Sequence, residues 1–218
     1  MNNSVYILGA GSMARETYLI YKDQNKDNLI SGFIVNQNLQ KKQKINGVPV
    51  YDIGKYNPST KNSVLIGAIG SPFRKNWILS LEKQEFLFDT AIHPSITIPN
   101  TVKINRGCIL GHGVIVTCDI LIGKHTIVNI GTNINHDCII GDFVTIGPGV
   151  NIAGKVSIGN GSWIGIGSTI IESVKIGKNT FIGAGSVVIN DIPDGVLAYG
   201  VPAKPIRKIQ AKDWLKFI

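Results

Sequence analysis

Residues 134–159 read INHDCIIGDFVTIGPGVNIAGKVSIG, and every sixth residue in this stretch is isoleucine. The same spacing of Ile, Leu or Val runs without a gap from Ile92 to Val188. Four positions after each aliphatic residue stands a small or β-branched residue, as at Cys138 and Val144. A helix, with about 3.6 residues per turn, does not fit this period. Two inward positions in every six predict short parallel strands wound into a hexapeptide-repeat β-helix.

Glycine often follows the aliphatic residue of a hexad, as at Gly123, Gly141 and Gly165. Glycine adopts a positive φ without strain. We therefore expect these glycines to turn the corners of the solenoid.

The chain has 218 residues, of which 44% are hydrophobic and 17% charged, so it can bury the core of one or two domains. This composition excludes a disordered chain. The formal net charge is +8. The basic residues are scattered, apart from Lys41, Lys42 and Lys44 and a tail with Lys204, Arg207, Lys208, Lys212 and Lys216. We interpret both clusters as solvated surface charge, with an anion site as the alternative, and expect no nucleic-acid partner.

The sequence also predicts a compartment. The first residues lack the charged segment that precedes the apolar run of a secretory signal. No apolar run approaches the ~20 residues that a membrane span needs. The three cysteines form no CxxC pair. We expect a cytoplasmic protein with reduced thiols and no membrane span.

The residues ahead of the repeat alternate between strand-like and helix-like segments. Strands are predicted over 5–8, 30–35 and 64–69, with a helical stretch that follows residues 9–14 and runs through Tyr21 and a second helix over 72–85. This alternation predicts an α/β, Rossmann-like sugar-nucleotide-binding domain over residues 1–90. The β-helix, with a C-terminal tail, would form a second domain over residues 91–218.

A glycine-rich turn joins the first predicted strand to its helix, where free backbone N–H groups suit a phosphate. We predict substrate binding at Gly9, Gly11, Ser12, Met13 and Ala14. The second strand ends at Val35-Asn36 without a carboxylate, which disfavours a nicotinamide cofactor and favours a sugar nucleotide contacting Asn36. Gly70 borders the same crevice, and Arg74 and Lys75 are expected to reach an anion there. A turn made only for packing remains the alternative.

His136 follows its inward aliphatic residue by two positions and therefore points outward, with Asp137 beside it. A carboxylate next to an imidazole orients it and favours its protonated form, which suits a general base. A surface histidine with a chance acidic neighbour is the alternative. We interpret His93, His112 and His125 as structural or peripheral. A three-histidine zinc site is disfavoured by their spacing, and Cys108 and Cys138 are interpreted as core residues.

The chain as a whole resembles the bacterial sugar acyltransferases of the hexapeptide-repeat, left-handed β-helix type. The resemblance rests on the glycine turn, the hexads and the closing Gly200-Val201-Pro202-Ala203-Lys204, and covers about residues 4–207. UDP-4-amino-sugar and perosamine N-acetyltransferases and sialic-acid O-acetyltransferases belong to this group. The resemblance implies three hexads per coil, about five coils, and a homotrimer with the acyl-CoA site between neighbouring solenoids.

The resemblance also implies roles for individual residues, with no metal. His136 matches the general base, Asp137 the acidic residue that raises its basicity, and Gly154 an N–H donor to the thioester oxyanion. Asn129 matches a residue that lines the sugar site. Ile166 and Ala184 match contacts to the pantetheine arm of acetyl-CoA. We extend the site to Lys204 and Arg207, which are expected to meet the CoA phosphates.

Two positions depart from the family pattern. Thr145 stands where many relatives have a histidine, and Val35-Asn36 replaces an acidic pair that holds the nucleotide. The function predicted from the sequence is acetyl-CoA-dependent N-acetylation of an amino sugar, nucleotide-linked, in surface-glycan synthesis. O-acetylation of a sialic-acid-like sugar and a non-catalytic sugar-nucleotide-binding trimer remain the alternatives.

Overall fold

The computed structural model describes residues 4–36, 43–56, 58–210 and 213. Lys41, Lys42, Lys212 and Lys216, which belong to the two basic clusters, lie outside the described residues.

The front part of the chain forms a six-stranded sheet in the order β3-β4-β2-β1-β5-β6. Its strands are β1 (Ser4–Leu8), β2 (Ile30–Val35), β3 (Lys44–Ile45), β4 (Val48–Asp52), β5 (Ser63–Gly67) and β6 (Leu87–Phe88). All pairs are parallel except β3 with β4. Helix α1 (Ser12–Asp23) packs on one face, and helix α2 (Arg74–Glu82) packs on the other.

The predicted strands and helices of this part are present to within a few residues. The alternation is less regular than expected, because the described residues between β2 and β5 form the β3–β4 hairpin and no helix. Polar residues dominate that segment and gave no periodic signal for either strand. The two helices do not by themselves establish a Rossmann-like domain.

The repeat folds into a parallel β-solenoid of two-residue strands. These are β7 (Ala91–Ile92), β8 (Lys103–Ile104), β9 (Ile109–Leu110), β10 (Ile115–Val116), β11 (Leu121–Ile122), β12 (Ile127–Val128), β13 (Asn133–Ile134), β14 (Ile139–Ile140), β15 (Thr145–Ile146), β16 (Asn151–Ile152), β17 (Ser157–Ile158), β18 (Trp163–Ile164), β19 (Thr169–Ile170), β20 (Lys175–Ile176), β21 (Phe181–Ile182) and β22 (Val187–Val188). A closing antiparallel hairpin consists of β23 (Val196–Gly200) and β24 (Ala203–Lys208).

Three sheets form the faces of the solenoid. We name them by a member strand: the β12 face has eight strands, and the β13 and β14 faces have five each. From β7 to β22, consecutive strands lie on different faces, and Ile139 pairs with Leu121 and Ser157 in the coils before and after it. The period of three hexads per coil is therefore confirmed.

The core of the solenoid consists of the two inward positions of each hexad. The aliphatic residues from Leu110 to Val188 and the residues four positions later are buried. Small polar residues at the later position donate to backbone carbonyls, as Thr126 Oγ1 does to Gly141 O at 2.8 Å. Cys108 and Cys138 occupy this position and are core residues, as predicted.

The expectation that the glycines after the aliphatic residues turn the corners is wrong. Positive φ occurs three positions after the inward aliphatic residue, at glycines and also at His125 and Asp137. Gly123, Gly141 and Gly165 are not in this region. A β-carbon at Gly165 would lie 2.5 Å from the backbone nitrogen of Ala184 in the next coil. These glycines are therefore required by the close approach of successive coils.

Helix α1 and its sheet pack on the β12 face, where Ile109 and Ile127 join the core of the front domain. Tyr21 Oη donates to Asp89 Oδ2 at 2.6 Å across the same junction. Within the described ranges, no helix combines the length and the apolar character that a membrane crossing requires.

Candidate active site

The predicted site residues of the solenoid lie on two different edges of the prism. The edge between the β13 and β14 faces, the His136 edge, carries Cys118, His136, Gly154 and Glu172 in successive coils. The edge between the β12 and β13 faces, the Ile166 edge, carries His112, Ile130, Pro148, Ile166 and Ala184. Backbone bonds fix the stacking on each edge: Lys155 N donates to His136 O at 2.8 Å, and Gly185 N donates to Ile166 O at 2.8 Å.

His136 forms a close pair with its neighbour. Nδ1 of His136 lies 2.8 Å from Oδ2 of Asp137, and the imidazole side chain is 47% exposed. Asp137 has a φ of +60°, and this corner turns its carboxylate back toward the ring. When the carboxylate accepts the Nδ1 proton, the lone pair lies on Nε2. His136 thus presents a basic nitrogen to solvent.

Gly154 lies directly below His136. A β-carbon at this position would come within 2.6 Å of Nε2 and 3.0 Å of Nδ1 of His136, so only glycine leaves room for the ring. The Gly154 N–H finds no acceptor among the residues that the structure describes. An unpaired amide therefore stands beside the basic nitrogen, where it can donate to an oxyanion.

Cys118 was missed by the sequence reasoning. It is exposed and lies one coil above His136 on the same edge, and its carbonyl accepts the Asp137 N–H at 3.2 Å. The sequence contains the information that places Cys118 on the same edge as His136, because residues 18 positions apart occupy equivalent places in successive coils. Cys118 and Gly154 therefore lie one coil before and one coil after His136 on this edge.

The Ile166 edge brings together the other predicted solenoid residues. Ile166 is 57% exposed, Ile130 is 52% exposed, and Ala184 is exposed as well. Asn129 stands at the same edge and donates from Nδ2 to Ile146 O at 2.7 Å, so its side-chain oxygen remains as an acceptor. The edge is an extended apolar track with polar backbone groups.

A cavity of about 260 Å³ lies between α1 and this edge. Met13 and Asn129, predicted separately as substrate contacts, both line it, together with His93 and His112. His93 is held by Asp23, with Nε2 3.0 Å from Oδ2, and its ring meets that of His112 edge-on at 4.5 Å. These two histidines have structural contacts and also form a wall of the cavity.

The glycine turn has the geometry expected of a phosphate turn. Gly9 has a φ of +107°, and a β-carbon there would lie 2.9 Å from Ala68 O. Gly11 caps α1 without a side-chain hydrogen bond, so the first N–H groups of the helix face outward with Ser12. Met13 is half-buried, whereas Ala14 is fully buried, and only its backbone can serve a ligand.

At the rim of this crevice, Asn36 is exposed directly after β2, and Gly70 is half-exposed after β5.

The expectation for Arg74 is wrong. Its side chain is 2% exposed, and burial lowers its pKa to about 10. Nη2 donates to Phe143 O and Val144 O at 3.1 Å each and to His125 O at 3.3 Å, while Nη1 donates to Gly70 O at 3.2 Å. The guanidinium joins the front domain to the solenoid and does not face a ligand. Sequence alone could not distinguish this role from anion binding.

The two tail residues predicted to meet the CoA phosphates differ in their contacts. Arg207 forms two hydrogen bonds of 2.6 Å with the carboxylate of Asp213, so its charge is already paired. Lys204 is exposed and lies opposite Tyr199 in the β23–β24 hairpin. Within the described ranges, no three His, Cys, Asp or Glu residues come together as metal ligands.

Solved structures of similar fold cover nearly the whole chain. A histidine-to-asparagine mutant of perosamine N-acetyltransferase from Caulobacter crescentus, in complex with CoA and GDP-perosamine, has a TM-score of 0.85 and 30% sequence identity, over 95% of this chain and 99% of that chain. The acetyltransferase domain of PglB from Neisseria gonorrhoeae, in complex with acetyl coenzyme A, has a TM-score of 0.85 and 25% identity, over 94% and 100%. WeeI from Acinetobacter baumannii has a TM-score of 0.84 and 27% identity, over 93% and 99%.

The family model described as bacterial transferase hexapeptide (six repeats) matches residues 155–190. No curated protein sequence gives a significant match. The solenoid is of the left-handed β-helix type, and the chain belongs to the bacterial sugar acyltransferases built on hexapeptide repeats, as the resemblance predicted.

Proposed function

We propose that the protein is an acetyl-CoA-dependent N-acetyltransferase that acts on the amino group of a nucleotide-linked amino sugar in surface-glycan synthesis. The observation that carries this proposal is the His136–Asp137 pair held against Gly154, with Nδ1 2.8 Å from the carboxylate. The similar enzyme from Caulobacter is named for the same reaction on perosamine.

Acetyl-CoA supplies an activated acyl thioester when bound. Nε2 of His136 accepts the proton that the acceptor amine loses as it attacks the carbonyl carbon. Asp137 holds the ring in the required tautomer and stabilises the imidazolium. The Gly154 N–H donates to the carbonyl oxygen as negative charge develops there. The thiolate that leaves then takes a proton, so no covalent enzyme intermediate is needed.

The Ile166 edge fits the pantetheine arm of this donor. The arm is long, thin and mostly apolar, with two amides. The edge offers the exposed residues Ile166 and Ala184. Lys204 stands exposed near the lower end of the same edge and suits a phosphate.

The front domain, as a Rossmann-like unit over residues 1–90, would hold the nucleotide. The turn from Gly9 to Ala14 provides N–H donors for the diphosphate, and Asn36 and Gly70 border the crevice beside it. The cavity that joins Met13 to Asn129 leads from this turn to the solenoid. The sugar would enter through it.

The two edges imply that one chain does not contain a complete site. His136 and Ile166 lie on different edges of one prism, on either side of the β13 face. In a homotrimer with the β13 face toward the axis, the His136 edge of each copy meets the Ile166 edge of its neighbour. The acyl donor would lie in that seam, with the base from one copy and the pantetheine track from the other.

The proposal is tested by the release of free thiol from acetyl-CoA, with wild type and His136→Ala assayed side by side. The acceptors are UDP-, GDP- and dTDP-linked 4-amino sugars and free sialic acids. Turnover of one amino-sugar nucleotide, lost on substitution by roughly 10²–10⁴-fold, would support the proposal. Turnover of a sialic acid alone would mean that the protein is an O-acetyltransferase that uses the same base. No turnover of any acceptor would favour the non-catalytic trimer.

A further inference from the structure

Glu16 lines the cavity between α1 and the Ile166 edge and has no role in the site described so far. The wall of this cavity contains two carboxylates, those of Glu16 and Asp23. Asp23 is already paired with His93. Glu16 is exposed and forms no ion pair or side-chain hydrogen bond with any residue that the structure describes. Its negative charge is therefore available to a ligand.

Helix α1 runs along three successive levels of the Ile166 edge. His93, Gly111 and Asn129 mark these levels, because the strands that precede them, β7, β9 and β12, are neighbours in one face. All three residues line the cavity opposite helix residues between 13 and 23. With neighbouring strands about 4.8 Å apart, the third level lies roughly 10 Å below the first.

Glu16 stands at the lowest of these three levels. Asp23 contacts His93 at the uppermost level, with Oδ2 3.0 Å from Nε2. Glu16 precedes Asp23 by seven residues, which corresponds to about 10.5 Å along a helix with a rise of 1.5 Å per residue. The two spans agree, so Glu16 faces Asn129 across the cavity.

The groups that converge at this level are all hydrogen-bond acceptors. Asn129 donates from Nδ2 to Ile146 O, which leaves its side-chain oxygen free to accept. The ionised carboxylate of Glu16 can only accept. His136 lies in the same coil as Asn129, and rotation about an axis along the solenoid keeps each coil at its level. In the proposed trimer, Nε2 of a neighbouring copy therefore reaches the same space, and three acceptors fit a nitrogen that carries several protons.

The distance from the glycine turn to Glu16 suits a 4-amino sugar. The proposed diphosphate site is at the N–H groups that begin α1, and Glu16 follows Ser12, the first residue of the helix, by about 6 Å along its axis. Carbon 4 of a hexose is opposite the anomeric carbon, which carries the diphosphate. One sugar ring therefore spans from the turn to Glu16.

We propose that the Glu16 carboxylate binds the amino group of the acceptor sugar and makes the site selective for an amine over a hydroxyl. This inference rests on the proposed function and assigns it a specificity-determining residue. A neutral amine has two N–H donors and one lone pair. One donor serves His136, the other serves Glu16, and the lone pair attacks the thioester. A hydroxyl has one proton, which His136 requires, so its oxygen would face an unpaired carboxylate.

The test is binding measured by calorimetry without acetyl-CoA, which does not depend on turnover. The probes are UDP-, GDP- and dTDP-linked 4-amino sugars, each compared with the nucleotide sugar that has a hydroxyl in place of the amine. Glu16→Gln keeps the shape of the side chain and removes its charge. Glu85→Gln is the control, because Glu85 is an exposed carboxylate of the front domain that does not line this cavity.

Wild type is expected to bind one amino-sugar nucleotide at least about 10-fold more tightly than its hydroxyl counterpart, because a hydrogen bond to a charged acceptor is stronger than one to a neutral group. Glu16→Gln should reduce this preference to about threefold or less by weakening the amine alone, with an unchanged thermal midpoint. Glu85→Gln should keep the preference of wild type.

An unchanged preference in Glu16→Gln, or equal losses for the amine and the hydroxyl compound, would overturn the inference. A wild-type protein that binds an amine and its hydroxyl counterpart equally well would overturn it too, while the proposed function stands. If wild type binds none of the nucleotide sugars, the proposed function fails as well.

Discussion

The imidazole of His136 lies against the Cα of Gly154, in the space that any larger residue at 154 would fill. The two residues are one coil apart, and Lys155, the residue after Gly154, donates its N–H to His136 O at 2.8 Å. The placement of the histidine therefore requires the glycine, and the glycine places an unpaired amide beside Nε2. The residues proposed as the base and as the oxyanion donor therefore form one structural unit.

Gly154→Ala tests this unit. The φ of Gly154 lies outside the positive region, so alanine adds a methyl group without backbone strain. The methyl group would displace the imidazole, and we expect kcat to fall by about 10- to 100-fold with little change in the thermal midpoint. Steady-state kinetics and thermal unfolding of the same preparation check this. A variant with wild-type kcat would mean that His136 is not used in this position.

Asp137→Asn removes the negative charge beside His136 and keeps the backbone conformation of the corner. Asparagine accepts a positive φ almost as readily as aspartate, so the corner at +60° is kept. The amide no longer stabilises an imidazolium, and we expect kcat to fall about 10- to 100-fold while KM for both substrates stays within a factor of two or so. Wild-type kcat in this variant would show that the carboxylate is only a neighbour. Asp119→Asn, at the equivalent corner of the preceding coil, is the matched control.

Arg74→Met tests the junction between the two domains. The substitution leaves the carbonyls of Phe143 and Val144 without their buried donor, at a cost of about 2–4 kcal/mol. For a chain of this size, that cost lowers the thermal midpoint by roughly 5–10 °C. Arg106→Met removes an exposed ion pair with Glu82 and should cost less than about 1 kcal/mol. Equal losses in the two variants would contradict the role assigned to Arg74.

Acid should weaken the same junction through His125. Burial lowers the pKa of His125 below its usual 6.5, although Glu82 accepts a hydrogen bond from Nε2 at 3.2 Å. The unfolded chain then binds a proton that the folded chain does not, so stability falls as pH drops through about 6.5.

Thermal midpoints between about pH 7.5 and 5.5 should therefore decrease in wild type. His125→Asn keeps the positive φ of this corner and should show a shallower decrease, whatever its absolute stability. An unchanged slope in the variant would mean that another group causes the pH dependence.

The solenoid could be predicted from the sequence almost residue by residue, because the period of six leaves one solution for its core. The pair His136–Asp137 followed from the same period, since it fixed which residues point outward. The period also places Cys118 above His136, but that step needs the length of a coil as well as of a hexad. Arg74 could not be assigned in this way. Its role depends on contacts between the front domain and the solenoid, which are far apart in sequence.

The central claim is that the base and the acyl-donor track meet across two copies of the chain. It is tested most directly by co-expressing His136→Ala with Ile166→Glu, each with its own tag, and assaying trimers that carry both tags. Each variant alone should be inactive or nearly so. Every trimer that carries both tags has one seam in three that pairs an intact His136 edge with an intact Ile166 edge, so these trimers should recover about a third of the wild-type activity. No recovery in trimers that carry both tags would contradict the claim and place the whole site within one chain.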